Sequence, residues 1–328
     1  MQDRLNRRRG EVERLRHYLL PGEYRFDNSG RAFCLFSQAE SMILQMAGEC
    51  DPQNRLLLSG ADGSRFDGHL VWFSMSGDVK ILSTSRVLTL CQSREAWLRK
   101  RDIHRYFSRY LPLPEIVATR EDANTITEAR IAAREVKIAD ELPLIQAVFD
   151  DYERYFSQVK ANNHYRLQPL AAQLHDNGEQ ELNALCSSLI SGIAPALLTQ
   201  PLPWMRLHGD LWTGNILLLD SDAFAICYID WDESAEYPFF YDLFKFIWNE
   251  LDVNQRTRYY RDYMTGNYDA FFSRIFAQFD LQFDPALRKD YLNLFMLSYL
   301  MNSGSGIPDA CRKGETADFL RKTAAELA

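Results

Sequence analysis

WMRLHGDLWTGNILLLDSDAFAICYIDWDESAEYPFFYDLFKFIWN, residues 204–249, decides how the chain is read. Apolar runs fill most of it, yet four polar residues stand where a core would not ask for them: Asp210, Asn215, Asp230 and Asp242. Residues 216–219 and 223–229 are short apolar runs separated by Asp220-Ser221-Asp222, a pattern that predicts a β-hairpin. Asp210 and Asn215 then share the loop before the hairpin. Asp230 leaves at the same end, because a hairpin returns the chain to its start. Three oxygen-bearing side chains converge there. Magnesium prefers hard oxygen ligands and keeps several waters, so one carboxylate, one carboxamide and nucleotide phosphates suit it. The remaining carboxylate can accept a proton from a hydroxyl, which is what phosphoryl transfer requires. Each residue alone also has a plain reading, since Asp and Asn turn well. Asp242 opens the apolar run 243–248 and reads equally as a helix cap.

The string His208-Gly209-Asp210-Leu211-Trp212-Thr213-Gly214-Asn215, followed by Ile229-Asp230-Trp231-Asp232 and Tyr241-Asp242-Leu243, resembles aminoglycoside phosphotransferases, choline kinases and related small-molecule kinases. The resemblance implies an α+β, two-lobed, protein-kinase-like fold with a small β-rich N-lobe and a larger, mainly helical C-lobe. It implies ATP and Mg2+ as cofactors. By position, Asp210 is the catalytic base and His208 braces its loop. Asn215 and Asp230 hold the nucleotide through the metal, and Asp242 supports the loop from a helix below. Asp232 either approaches the metal or stabilises the loop. Trp212 and Trp231 read as packing residues.

With 328 residues the chain is long enough for two lobes and a large core. A charged fraction of 25% and an apolar fraction of 46% are ordinary for a soluble globular protein. The net charge of −8 argues against general nucleic-acid binding. The cysteines (Cys34, Cys50, Cys91, Cys186, Cys227, Cys311) form no CxxC pair and read as reduced thiols. No secretory leader and no apolar run of membrane-spanning length is apparent. The expectation is a cytoplasmic protein whose oligomeric state is open.

Three divisions are expected: an N-terminal extension over 1–65, an N-lobe over 66–131 and a helical C-lobe over 132–328. Residues 3–19 predict a helix with Leu5, Val12, Leu15 and Leu19 on its apolar face and arginines around the rest. That basic helix is read as a solvated outer face, with a partner or membrane-surface contact as the alternative. Residues 31–48 predict a strand followed by a strand or helix, and the family resemblance does not account for them. Strands follow at 69–73, 79–82 and 87–91. The Ser74–Asp78 turn, where the family covers the ATP phosphates, carries a single glycine. The family's strand lysine is absent: Val87-Leu88-Thr89-Leu90 has threonine in its place. Lys80 on the preceding strand is the nearest substitute, because paired antiparallel strands hold opposed residues within about 5.5 Å. Arg86 is a further candidate.

Ser93 caps a helix over 93–109, whose Glu95 occupies the place of the family's lysine partner. Residues 115–119 and 125–131 predict strands, and Ile126-Thr127-Glu128 resembles the hinge that receives adenine. Glu128 is therefore counted with the nucleotide-binding residues. Helices are predicted over 142–155, 179–196, 237–250, 255–264, 268–278, 285–301 and 316–327, with a flexible loop over 302–308. The aromatic residues between 237 and 298 read mainly as core, and otherwise as the lining of an acceptor groove.

The expected activity is ATP- and magnesium-dependent transfer of phosphate to a hydroxyl of a small molecule. HGDLWTGN is similar to fructosamine kinases. Residues 231–244 are similar to phosphotransferase-like proteins of surface-polysaccharide synthesis, which makes a sugar or glycolipid the first choice of acceptor. Two alternatives remain. A catalytically degenerate kinase-fold scaffold would explain Thr89, and an AMP transferase would use the same fold.

Overall fold

The computed structural model describes residues 2–27, 31–35, 50–59, 66–174, 179–221, 224–302 and 309–325. The chain divides into two units. One comprises Met1–Tyr106, Leu113–Glu135 and Leu218–Asp222; the other comprises Phe107–Pro112, Val136–Leu217 and Ala223–Ala328. The first is a sheet with helices and the second is mainly helical, which is the two-lobed α+β fold expected.

The first unit contains α1 (Gln2–Arg14), β1 (Gly22–Asp27), β2 (Ala32–Leu35), β3 (Cys50–Leu58), β4 (Leu70–Phe73), β5 (Val79–Leu82), β6 (Arg86–Leu90), α2 (Arg94–Phe107), β7 (Ile116–Arg120), β8 (Thr125–Ala129) and β9 (Ala133–Arg134). β1 to β8 form one eight-stranded sheet in the order β3-β1-β2-β4-β5-β6-β8-β7, and every pairing given for it is antiparallel. Side chains alternate between faces along each strand. Phe33, Val71, Ile81 and Leu88 point to one face and are buried with Val12 and Leu19 of the N-terminal segment. Trp72, Lys80, Thr89 and Ile126 stand in one cross-strand row on the other face. Trp97 of α2 packs there against Ile126, and its indole N–H donates to the Thr125 carbonyl at 3.0 Å.

The described strands within residues 1–65 continue the sheet outward from β4. Two arginines of the basic helix lie against the sheet, while Arg7, Arg14 and Arg16 are exposed. The Arg8 guanidinium lies 4.0 Å from the centre of the Phe73 ring, and that of Arg9 lies 5.2 Å from Phe26. These arginines cover sheet aromatics with their planar heads. Regular α-helix stops at Arg14, and a single tight turn, Arg16–Tyr18, completes the segment expected to reach residue 19.

The second unit contains α3 (Glu141–Ala161), β10 (Arg166–Gln168), α4 (Gln180–Ser191), α5 (Pro195–Thr199), β11 (Leu202–Leu207), β12 (Ile216–Leu219), β13 (Ile226–Tyr228), β14 (Ala235–Pro238), α6 (Tyr241–Asp252), α7 (Thr257–Met264), α8 (Asp269–Ala277), α9 (Arg288–Met301) and α10 (Asp309–Ala325). β11 lies between β10 and β14, and β12 neighbours β13, so the predicted hairpin forms. The last two residues of β12, Leu218 and Leu219, fall in the first unit and pair with β9.

Several other predicted boundaries move, three of them by a change of element. The helix expected from residue 237 starts at Tyr241, because Ala235–Pro238 is consumed as a strand against β11. The helix over 179–196 breaks at Gly192 into α4 and α5. The last helix begins at Asp309 instead of 316. The element expected after residue 35, Asp222 of the hairpin turn and the loop at 303–308 lie outside the described residues.

The aromatic residues of the second unit form its core. Phe244 stacks on Phe272 at 5.0 Å, Phe239 meets Phe276 edge-on at 4.9 Å, and Tyr241 meets Phe295 at 5.1 Å. All six of these side chains are buried, which fits core rather than groove lining. No described helix is long and apolar enough to cross a membrane.

A chain beginning at Phe66 would leave β4 as an exposed edge with Val71 and Ile81 uncovered. The expected outcome is aggregation on size-exclusion chromatography and loss of the cooperative melt shown by the full chain.

Candidate active site

β11 is buried along almost its whole length and ends at Leu207, which delivers His208-Gly209-Asp210 to the end of the sheet. The loop is held from below by Asp242, in the first turn of α6 and 0% exposed. One carboxylate oxygen accepts the His208 N–H at 2.7 Å and the Tyr152 hydroxyl at 2.6 Å; the other accepts the Gly209 N–H at 2.8 Å. Burial pushes the Asp242 carboxyl above its ordinary range, and His208 with the three donors opposes that shift.

Gly209 has φ +88°, and a Cβ on it would stand 2.2 Å from the Glu233 carbonyl oxygen. Only glycine fits that backbone. The His208 ring is bonded on both sides. Its Nε2 lies 2.9 Å from the Ile229 carbonyl oxygen, and its Nδ1 accepts the Asp210 N–H at 3.3 Å. Those partners assign the hydrogen to Nε2. His208 thus ties the loop to the residue that leaves the hairpin's second strand.

Asp210 is partly open, with its side chain 35% exposed. Asn249 donates to its Oδ1 at 3.1 Å, and Asn215 donates to its Oδ2 at 3.1 Å and to its carbonyl at 2.7 Å. Asn215 spends its amide nitrogen on Asp210, so its carboxamide oxygen is the atom suited to a cation. Its backbone carbonyl accepts the Ile229 N–H at 3.0 Å, which sets Asp230 one residue from both His208 and Asn215 contacts. Asp230 is exposed and left-handed, at φ 63° and ψ 61°. Aspartate tolerates that region better than most residues, and strained positions of this kind gather at functional loops. Trp231 follows, stacked at 4.1 Å on Phe107 and tilted at 4.4 Å against His208.

One carboxylate and one carboxamide oxygen are a donor set that suits magnesium when phosphate and water oxygens complete it. Among the described residues there is no cluster of three His, Cys, Asp or Glu side chains that would hold a metal without such outside ligands.

Sequence reading named Asp242 of α6 but missed Lys245, Asn249 and Glu250. Asp242, Lys245 and Asn249 recur at i, i+3 and i+7, which is one helix face. Lys245 is 4% exposed, with its Nζ 3.9 Å from Asp210 Oδ1. Glu250, buried beside them, accepts the Thr213 N–H at 2.9 Å and hydroxyl at 2.7 Å, and pairs with Arg256 at 3.1 Å. The signal was the polar spacing inside an apolar run, which aromatic neighbours obscure.

The remaining candidates lie in the first unit. Lys80 stands directly opposite Thr89 in the β5–β6 register, so both project from the same face. The β4–β5 turn is clamped: Asp78, 1% exposed, pairs with Lys100 of α2 at 3.0 Å and accepts the Gln92 N–H at 2.8 Å. Glu95 is exposed in the first turn of α2. Its carboxyl is held below the ordinary range by its own backbone N–H and the Ser93 hydroxyl. Glu128 lies in β8 between β6 and β7, where ladder pairing takes up the backbone groups of Ile126-Thr127-Glu128. Arg86 sits at the start of β6 with its guanidinium 5.1 Å from the Phe66 ring.

Residues 113–274 match the phosphotransferase enzyme family. That span holds the loop over residues 208–215, the hairpin and α6, the stretch that carries the resemblance read from the sequence. No curated protein matches the chain. Among solved structures, the chain is similar to an amicoumacin kinase in complex with AMP-PNP and Ca2+, at 16% identity and TM-score 0.44, covering 85% of this chain and 93% of that one. It is also similar to an aminoglycoside phosphotransferase from Streptomyces rimosus, at 16% identity and TM-score 0.42, covering 68% and 90%. A choline kinase from Streptococcus pneumoniae follows at 12% identity and TM-score 0.43, covering 76% and 91%.

In this loop, Asp242→Asn turns one acceptor oxygen into a donor facing a backbone N–H. The expected loss is about 2–4 kcal/mol in urea unfolding. Gly209→Ala should lose more than about 1 kcal/mol from backbone strain alone, before its clash with Glu233 is counted.

Proposed function

We propose that the protein transfers the terminal phosphoryl group of ATP to a hydroxyl of a small molecule. The observation that carries the reading is the hold on Asp210. Its two oxygens are each tied to a carboxamide, it is partly open, and Asp230 emerges beside it from a left-handed kink. A mere turn has no use for that arrangement.

Asp210 orients the acceptor hydroxyl and takes its proton. The hydroxyl oxygen forms a bond to the γ-phosphorus while the bond to the β,γ-bridging oxygen breaks, and ADP leaves. Asn215 and Asp230 would hold Mg2+, which neutralises phosphate charge when bound. Positioning and electrostatic stabilisation supply most of the rate in this chemistry. His208 and Asp242 fix the loop without touching substrate.

Lys80 takes the phosphate-binding part that the family gives to a lysine at the position of Thr89. The direct Lys80–Thr89 register supports this, since moving a long side chain to the opposed residue keeps its face. Glu95 would pair with that lysine, and Glu128 marks the strand leading to the hinge. The acceptor is a sugar or glycolipid hydroxyl, supported by the likeness of residues 231–244 to phosphotransferase-like proteins of surface-polysaccharide synthesis. A scaffold without activity is the second reading, and buried Thr89 in the lysine position favours it.

Thermal melts with ATP, with and without magnesium, separate the two. A ligand at a hundred times its dissociation constant stabilises by about 2.7 kcal/mol. The wild type and Asp210→Ala should show a magnesium-dependent shift, and Asp230→Ala should not. Asp210→Ala should lower transfer by about a thousand-fold. No shift in the wild type would decide for the scaffold.

Lys80→Thr should weaken ATP binding by about tenfold. The exchanged pair Lys80→Thr/Thr89→Lys should recover most of it, measured by calorimetric titration. Unchanged affinity in the single variant would remove Lys80 from the site.

A further inference from the structure

The buried polar stripe of α6 has a member that the family motifs do not assign. Lys245 is almost fully buried in a helix whose other inward residues are largely aromatic or aliphatic. A buried ammonium carries a desolvation penalty of several kcal/mol unless compensated, which a leucine or methionine would avoid. Its compensation is specific. Nζ lies 3.9 Å from Asp210 Oδ1, 3.7 Å from Glu315 Oε2 of α10, and 4.6 Å from the centre of the Tyr299 ring. One turn further along, Asn249 donates to the same Asp210 oxygen at 3.1 Å.

We propose that Lys245 and Asn249 are positioning residues for Asp210, fixing the plane and charge of its carboxylate from the α6 side. This rests on the phosphoryl-transfer reading. Asn215 holds Oδ2 from the loop; Asn249 and Lys245 hold Oδ1 from the helix. With one amide donor on each oxygen, the carboxylate cannot rotate freely, and each oxygen keeps acceptor capacity for the incoming hydroxyl. Lys245 is shared between two carboxylates, so it supplies a positive charge beside Asp210 without sealing it in a short hydrogen bond. Glu315 balances that charge and makes α10 part of the same arrangement. A displaced general base is expected to slow chemistry while leaving nucleotide binding intact.

The test compares wild type, Lys245→Met, Lys245→Arg and Asn249→Ala in magnesium-dependent ATP turnover, with water or a sugar as acceptor. Lys245→Met and Asn249→Ala should lower kcat by about ten- to a hundred-fold, with KM for ATP within about twofold of wild type. Lys245→Arg, which keeps the charge, should recover most of the loss. The ATP–magnesium melting shift should persist in all three. Wild-type kcat in both Lys245→Met and Asn249→Ala, or equal loss in the Arg and Met variants, would overturn the proposal while leaving the transferase reading intact. If the wild type turns over no ATP, the transferase reading fails, and a substrate-free double-mutant cycle decides the pairing. Urea midpoints of Asp210→Asn, Lys245→Met and the double variant should be non-additive, the double variant losing less than the sum. Additive losses would overturn the coupling.

Discussion

A buried carboxylate with no water to solvate it has to find its hydrogen-bond donors in the protein, and Asp242 finds three. Two are consecutive backbone N–H groups of the loop that carries Asp210; the third is the hydroxyl of Tyr152 on α3. An unpaired charge there would be strongly destabilising. The loop therefore cannot move off Asp242 without exposing the whole cost of that burial. Much of the site follows from this. Gly209 adopts positive φ so that its N–H and that of His208 both point at one carboxylate. His208 is then placed to reach Ile229, and Asp230 comes next in the chain.

α6 extends the same logic along its length. Its apolar side chains pack among Tyr263, Phe272 and Phe295, while Asp242, Lys245, Asn249 and Glu250 address successive parts of the loop. Glu250 grips Thr213 much as Asp242 grips His208 and Gly209. A short segment that makes few regular backbone bonds of its own is made rigid by a helix that makes all of its own. Partly strained backbone at Asp230 is supported in the same way, by neighbours that over-determine it.

The site's outline was legible in the sequence because its parts are local. Asp210, Asn215 and Asp230 lie within one loop and one hairpin, where spacing fixes proximity. The row joining Lys80 to Thr89 was also legible, since antiparallel neighbours in a short hairpin have few registers open to them. The contributions of Lys245 and Asn249 were not, because a 3.6-residue period is hard to see when Phe244, Phe246 and Trp248 interrupt it. The β14 strand was missed for a different reason. Ala235–Pro238 has little strand pattern of its own and is extended because β11 offers it partners. The continuation of the sheet through β1 to β3 was likewise invisible, because joining distant strands is a property of topology rather than of any window of residues.

Alternation along β5 gives the N-terminal segment an influence on a face of the sheet it never touches. Ile81 is packed among Val12, Leu19 and Phe33, and its neighbour Lys80 consequently faces the opposite way. A slip of one residue would exchange them, burying an ammonium in a greasy layer and presenting a methyl group to the other side. Buried residues such as Val12, Leu19 and Phe33 thus serve as a ratchet on strand alignment. They penalise the misaligned sheet so heavily that the cationic side chain has a single address.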